Sequence, residues 1–196
     1  MVEKMEHQKD EEVKNSIVDA ARRVFQKWGF NKTIMEDIAH EAGKAKSTLY
    51  YYFKNKEEIF EAVSIFEIDS IIQKAKNSIK QDASAREKFK SYTSTMLLEI
   101  KKTVSIYPIG KGEVKLNREF IDKVNSQLNK KEEAIIKDII LYGIKSGEIN
   151  FISRKELDKA AKVVSGIIRG LALYLFLDND EPEIMDLAIR IISEGL

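Results

Sequence analysis

The chain has 196 residues, of which 43% are hydrophobic and 33% are charged, and its formal net charge is only +1. This composition excludes a disordered, fibrous or low-complexity chain and is typical of one or two folded domains. Cysteine is absent, and the two histidines, His7 and His40, lie far apart. We therefore expect no disulfide, no metal site and no cofactor. Alternating strand patterns are missing, and only nine glycines and two prolines interrupt the chain, which predicts an all-α fold.

The amino terminus is charged and lacks the apolar segment of a secretion signal. The longest wholly apolar run after Gly170 covers residues 171–177, which is too short to cross a bilayer. We expect a cytoplasmic protein with no membrane partner.

Three helical patterns open the chain. The first runs from about Asp10 to Trp28 and is ended by Gly29. Thr33 and Glu36 have capping-box spacing, which predicts a second helix from Ile34. Gly43 supplies the residue that a helix end commonly needs, and a third helix follows within three or four residues. Two short helices joined at a glycine turn are typical of a helix-turn-helix.

The third helix carries the chemistry that a DNA duplex requires. Leu49 and Phe53 share its inner face, and no acidic residue occurs between Ala42 and Lys56. Such a stretch fits either a solvated basic helix or a DNA reader, and the order of small, basic and aromatic residues favours the reader. The predicted DNA-binding residues are Thr33, Lys44, Lys46, Ser47, Thr48, Tyr50, Tyr51 and Lys56.

Capping patterns predict the helices that follow. Asn55 with Glu58, Ser84 with Glu87 and Ser153 with Glu156 open three of them, and Pro182 opens the last. Two shorter helices are predicted over 117–128 and 130–146, the second ended by Gly147. The prediction is about nine helices, divided into a three-helix domain at 1–54 and a larger helical domain at 55–196.

The first part of the chain, roughly 13 to 60, resembles the DNA-binding domain of the TetR family of bacterial regulators. The resemblance rests on the following residues: Ala20, Ala21, Phe25, Gly29, Phe30, Thr33, Ile38, Ala39, Ala42, Gly43, Ser47, Thr48, Leu49, Tyr50, Phe53, Lys56 and Ile59. Beyond them the chain resembles the family in length, helicity and order of parts. The resemblance implies a carboxy-terminal domain that binds a ligand and dimerises.

Aromatic and methionine side chains mark the helices that resemble the family's ligand-binding core. They fit ordinary core packing as well as contact with a ligand. A pocket of this composition would suit an apolar or amphipathic small molecule, whose identity the sequence leaves open. The candidate ligand-binding residues are Phe89, Tyr92, Met96, Tyr107, Phe120 and Tyr142.

The end of the chain is predicted to be an assembly surface. From Val163 to Leu177 nearly every side of the helix is apolar, which fits either a buried core helix or an interface. The resemblance favours the interface, because many family members dimerise through their last two long helices. The predicted dimer residues are Val163, Gly166, Ile167, Gly170, Leu173, Ile184, Leu187, Ala188 and Ile191. Arg169 is a charge within this apolar helix, suited to an exposed edge, an anion contact in a pocket, or a contact across the dimer.

These observations predict a homodimeric, ligand-responsive transcriptional repressor that binds a palindromic operator in double-stranded DNA. By resemblance, a small-molecule effector displaces the helix that starts near Lys56 and changes the separation of the two readers. Two alternatives remain: an architectural DNA-binding protein without an effector, and an enzyme on a helical scaffold. We recognise no nucleophile with a base, paired carboxylates or phosphate loop, so we expect no enzyme.

Overall fold

The computed structural model describes the backbone of residues 2–107, 118–177, 183 and 187–191, and most of their side chains. Within these ranges the chain is helical and contains no strand, which confirms the all-α class. Residues 187–191 are helical, and seven longer helices precede them: α1 (Val2–Lys32), α2 (Met35–Glu41), α3 (Lys46–Tyr52), α4 (Lys56–Asn77), α5 (Ala85–Ile106), α6 (Arg118–Ser146) and α7 (Leu157–Leu177).

The chain divides into two compact units. The first contains Met1–Glu67 and Val104–Val124, and the second contains Ile68–Thr103 and Asn125–Leu196. Helices α1 to α3 therefore pack with the first half of α4. The functional division that we predicted after residue 54 stays a prediction. Across the described ranges, none of the helices combines the length and the apolarity that crossing a membrane requires.

The core of the first unit fixes the first four helices. Ile17, Phe25, Ile38 and Leu49 are each at most 1% exposed and belong to one apolar cluster. The rings of Phe25, Phe30 and Phe60 meet with centroids 5.0–5.9 Å apart. Packed aromatic rings of this kind contribute more than their buried area alone.

Helix α1 differs from the prediction at its start. It begins at Val2 rather than near Asp10, so the charged amino-terminal residues are helical. Gly29 adopts φ 77°, which breaks the helix where the sequence predicted its end. Such a φ is strained for residues that carry a Cβ.

The predicted capping box of α2 is wrong by one residue. The Thr33 hydroxyl does not cap α2; it donates to the Gly29 carbonyl at 2.7 Å, beside the break in α1. The Ile34 N–H donates instead to the Asp37 carboxylate at 2.9 Å, and the helix begins at Met35. Glu36 is therefore free for a different contact.

The capping pairs predicted at Asn55, Ser84 and Ser153 are present, and Pro182 lies outside the described residues. Asn55 accepts from the Glu58 N–H at 2.9 Å, while the Glu58 carboxylate accepts from the Lys54 N–H. Ser84 and Glu87 form a reciprocal pair, with N–H contacts of 2.9 and 3.2 Å. Glu156 accepts from both the N–H and the hydroxyl of Ser153 just before α7.

The two helices predicted over 117–128 and 130–146 are a single helix, α6. Asn129 lies inside it, because no glycine or proline interrupts the chain there. An asparagine in a helix interior is less favourable than alanine by less than about 1 kcal/mol. Gly147, at φ 79°, follows its end as predicted.

Gly143 allows α6 to pack closely in the second unit. A Cβ built there would lie 2.6 Å from Ile149 Cδ1 and 2.9 Å from Ala85 Cβ. Both neighbours are buried, so they have little freedom to move away. The glycine is required by packing rather than by its backbone conformation.

We therefore expect Gly143→Ala to lower the free energy of unfolding by about 1–3 kcal/mol, since the added methyl overpacks the site. Urea unfolding followed by circular dichroism measures this change. Adding Ile149→Val should restore part of the loss, because it shortens the side chain that the methyl meets. An unchanged unfolding midpoint in the single variant would contradict the packing described here.

Candidate functional site

The turn between α2 and α3 is closed by backbone hydrogen bonds. The Ala42 N–H donates to Ile38 at 2.9 Å, and the Lys44 N–H donates to Ala39 at 3.0 Å. Gly43 sits between them at φ 61°, in the left-handed region that glycine tolerates best. The turn therefore sets the angle at which α3 leaves α2.

Helix α3 has one buried face and one exposed face. Leu49 is 0% exposed and Phe53, directly after the helix, is 4% exposed. Tyr50 and Tyr51 are 46% and 76% exposed, and Lys44, Lys46 and Ser47 are also exposed, whereas Thr48 is half-buried. The exposed side chains offer hydroxyls, cations and aromatic rings, the groups that contact phosphates and base edges.

Lys46 has an acidic partner that the local sequence does not show. Its ammonium group pairs with Glu36 of α2, and this hydrogen bond lowers the pKa of Glu36. No acidic residue occurs in the sequence from Lys44 to Lys56, but in the folded protein the Glu36 carboxylate lies beside Lys46. Both side chains are about half exposed, so the pair is weak and can open when Lys46 meets a phosphate.

The side chains of Thr33 and Lys56 contact other parts of the protein. Thr33 is fully buried. The ammonium of Lys56 donates to the carbonyls of Phe30 at 2.9 Å and Thr33 at 3.0 Å, and lies 4.4 Å from the Phe30 ring centroid. These contacts join the start of α4 to the segment between α1 and α2. Because Lys56 binds backbone carbonyls, which every residue carries, no sequence pattern indicated this structural role.

Helix α1 contributes contacts to α3 that sequence reasoning missed. The Tyr52 hydroxyl donates to Asp10 at 2.8 Å, and the ammonium of Lys14 lies 5.7 Å from the Phe53 ring centroid. These residues are some forty positions apart, so no local pattern could join them. The early part of α1 therefore helps to hold α3 in place.

The candidate ligand residues that the structure describes have different surroundings. Phe89 lines a cavity of about 320 Å³ with Ile139, Ile140 and Ile149, whereas Tyr142 lines a second cavity of about 280 Å³. The Tyr142 ring also lies 4.2 Å from the buried ammonium of Lys88. Tyr92 and Met96 are buried in the second unit, and the side chain of Phe120 lies outside the described residues.

Tyr107 belongs to the core of the first unit rather than to a ligand pocket. Its hydroxyl donates to Glu67 at 2.5 Å and accepts from Gln26 at 3.4 Å, and Arg22 also pairs with Glu67 at 2.9 Å. Burial, and then the Glu67 carboxylate, raise the pKa of Tyr107 to about 12. This network ties the residue after α5 to α1 and α4.

Helix α7 has one buried side and one exposed apolar side. Ala161, Val164 and Ile168 are buried, while Val163 and Ile167 are 61% and 48% exposed. Gly166 and Gly170 share the exposed side, and nothing lies within 4 Å of a Cβ built at either.

The short helical stretch 187–191 also has exposed apolar residues. Leu187 is 48% exposed and Ile191 is 63% exposed, while Ala188 is half-buried. Ile184 and the side chain of Leu173 lie outside the described residues.

Comparison with known proteins decides the family. Residues 17–63 match the family model described as bacterial regulatory proteins, tetR family. The fatty acid metabolism regulator protein of Bacillus subtilis (strain 168) is 32% identical over 134 residues, covering 68% of this chain and 69% of the relative. The chain belongs to the TetR family.

Two further comparisons extend the similarity over nearly the whole chain. The transcriptional regulator QacR of Staphylococcus aureus is 27% identical over 190 residues, covering 94% of this chain and 98% of the relative. The solved structure of FadR from Bacillus subtilis in complex with stearoyl-CoA is 26% identical, covers 92% and 98% of the two chains, and gives a TM-score of 0.65.

Membership of this family confirms the predicted function and partners. The TetR-type chain is a helix-turn-helix transcriptional regulator that binds operator DNA as a dimer and responds to a small-molecule effector. Its named relatives are regulators rather than enzymes. The individual residues that contact DNA, ligand and partner remain predictions.

For DNA reading, we expect Tyr51→Ala to weaken operator binding by about 1–3 kcal/mol, and Lys44→Ala to lower the salt slope by about one unit. Both side chains are exposed, so neither change should alter stability. Fluorescence anisotropy over a range of salt concentrations measures both effects. Lys76→Ala removes the same charge from an exposed position in the second unit and serves as the control. Normal binding by a Lys44→Ala/Tyr51→Ala double variant would exclude the exposed face of α3 as the reader.

Lys56→Ala separates a structural role from a phosphate contact. It removes two hydrogen bonds to carbonyls, so we expect a lower unfolding midpoint. A salt slope reduced by about one unit at unchanged stability would instead restore Lys56 as a phosphate contact.

Proposed function

We propose that the protein is a homodimeric repressor in the cytoplasm, without catalytic activity, which occupies a palindromic operator until an apolar or amphipathic effector releases it. The observation that carries this proposal is the structure of α3. Leu49 holds the helix in the core, while Ser47, Tyr50 and Tyr51 stay exposed on the opposite side. A helix held in this way can enter a major groove without unfolding the domain.

Dimerisation is supported by the exposed apolar side of α7. Val163 and Ile167 are four residues apart on one helix, so their exposed side chains lie on one face that a partner could cover. The open space above Gly166 and Gly170 would let the backbone of a second copy come close. A two-fold dimer would place its two reading helices about 34 Å apart, or one turn of DNA, and would therefore select palindromic sites.

An effector with an alkyl or acyl chain is supported by the similarity to FadR of Bacillus subtilis. That protein is named a fatty acid metabolism regulator, and its structure was determined with stearoyl-CoA. In this chain the 320 Å³ cavity is lined by Phe89, Ala85 and three isoleucines, together with Ser84, Arg86 and Glu148. Since ligand pockets span about 300–1,000 Å³, this cavity suits a short chain.

The dimer proposal predicts that Ile167→Glu and Ile191→Glu each yield monomers and abolish tight operator binding. The reason is that a like charge would be repeated across the two-fold axis. Light scattering after size-exclusion chromatography measures the mass. Phe151→Glu changes an equally exposed apolar residue in the loop before α7 and should remain dimeric. A wild-type monomer at micromolar concentration, or dimers of both glutamate variants, would contradict the proposed interface.

The effector proposal predicts reciprocal coupling. A ligand that reduces operator affinity a hundredfold must supply about 2.7 kcal/mol, and operator DNA must weaken ligand binding by the same factor. Octanoate, octan-1-ol, octanoyl-CoA and stearoyl-CoA form the test panel, with melting temperature and anisotropy as measurements. If panel members raise the melting temperature of the free dimer but leave operator affinity unchanged, the pocket exists without the switch.

A further inference from the structure

A group of buried polar atoms in the second unit has no partner. Among the described residues, four buried side-chain atoms make no hydrogen bond: Tyr92 Oη, Thr93 Oγ1, Glu132 Oε1 and Arg169 Nη1. Tyr92, Thr93 and Glu132 are each at most 3% exposed. Folded proteins leave few buried polar groups unpaired, because each one gives up its hydrogen bonds to water. Four in one helical unit require an explanation.

These atoms lie on three helices that meet at Glu132. The Ser165 hydroxyl of α7 donates to Glu132 Oε2 of α6 at 2.5 Å, and Arg169 lies one turn further along the same side of α7. Tyr92 and Thr93 are adjacent on α5. Burial raises the pKa of Glu132 against the opposing effects of Ser165 and Arg169, and the Glu132 charge contributes to the raised pKa of Tyr92. These electrostatic effects are consistent with Tyr92, Glu132 and Arg169 lying near one another, and Thr93 follows Tyr92 directly in the chain.

Two helices, α5 and α6, carry residues of both the 320 Å³ cavity and this group of polar atoms. Phe89 lines the cavity one turn before Tyr92 on α5. Ile139 lines it two turns after Glu132 on α6. The cavity lies at the start of α5 and near the end of α6, so both helices lead from the cavity towards the polar atoms. Besides its apolar residues the cavity is lined by Ser84, Arg86 and Glu148, and the residues of the four unpaired atoms are not part of its lining.

The four atoms require a particular ligand chemistry. Arg169 Nη1 can only donate, an ionised Glu132 Oε1 can only accept, and the hydroxyls of Tyr92 and Thr93 can do either. An ionised Glu132 would offset the charge of Arg169. An anionic head group would be repelled by Glu132, and a cationic one by Arg169. A thioester offers hydrogen-bond acceptors only, so it would leave Glu132 Oε1 without a donor.

We propose that Tyr92, Thr93, Glu132 and Arg169 bind the polar end of a short alkyl amphiphile whose head group is uncharged and both donates and accepts hydrogen bonds, as a hydroxyl or a primary amide does. The alkyl chain occupies the cavity beside Phe89. This inference rests on the proposed function, since the amphiphile would be the effector, and it specifies the head group that the comparisons leave open.

The first test compares probes that share one chain length. Octan-1-ol, octanamide, octanoate, octyltrimethylammonium and octanoyl-CoA are titrated into the full-length dimer, with calorimetry and melting temperature as measurements. We expect octan-1-ol and octanamide to bind about tenfold more tightly than each charged probe. Equal or tighter binding of a charged probe, or no binding by any of them, would overturn the proposal.

The second test changes the charge of the site. Glu132→Gln leaves Arg169 as the only charge, so the preference should shift about tenfold towards octanoate; Arg169→Gln should shift it towards octyltrimethylammonium. If these residues had only a structural role, their substitution would weaken the binding of all probes alike. Glu133→Gln makes the same change at the neighbouring position of α6. This variant should keep the preference of the wild-type protein for the uncharged probes.

A third variant guards against misfolding of the charge variants. Thr93→Val removes an unpaired hydroxyl while it keeps the branched shape. We expect it to raise the melting temperature of the free protein and to weaken the binding of octan-1-ol several-fold. A lower melting temperature, or unchanged affinity for octan-1-ol, would show that Thr93 is not an unpaired ligand contact.

Operator binding is measured separately on every variant. If the dimer binds operator DNA but no uncharged amphiphile, the proposed polar site is wrong, whereas the proposed function as a DNA-binding regulator is retained. If octan-1-ol binds with the expected preference but does not release DNA, the site stands and the proposed ligand response fails.

Discussion

The burial of Leu49 is the contact on which the proposed DNA-reading surface depends. Helix α3 has seven residues, and a helix of this length is not stable by itself in water. Leu49 is the buried residue within it, and Phe53 is buried directly after it. Because this side of α3 faces the core, Ser47, Tyr50 and Tyr51 stay exposed on the other. The same packing that folds the domain therefore selects which side chains are offered to a duplex.

The rest of the first unit supports that placement with polar contacts. Lys56 joins the start of α4 to the segment that follows the Gly29 break, through two carbonyls and the ring of Phe30. Tyr107, directly after α5, belongs to the same unit and binds Glu67. Since α5 is one continuous helix from Ala85 to Ile106, a ligand that moved it near Tyr92 would also disturb this network. This route is an alternative to displacement of α4 alone, which the family resemblance implied.

The second unit combines stable packing with features that cost stability. Gly143 lets α6 approach Ile149 and Ala85 closely, and three isoleucines with Phe89 line the larger cavity. Against this, four buried polar atoms lack partners and α7 exposes Val163 and Ile167 to water. Both features are unfavourable in an isolated chain. A bound amphiphile would satisfy the first, and a second copy of the chain would cover the second.

The sequence by itself determined the all-helical class, the glycine breaks at 29, 43 and 147, and the caps at Asn55, Ser84 and Ser153, because these depend on residues within one turn of each other. It also predicted the inward Leu49 and the exposed tyrosines from helical spacing. Only the tertiary structure decided that Thr33 is buried, that Lys46 meets Glu36, and that Tyr107 lies in the first unit. The unpaired Oε1 atom of the buried Glu132 was equally invisible in sequence. Each of these depends on contacts between helices, which helical periodicity does not encode.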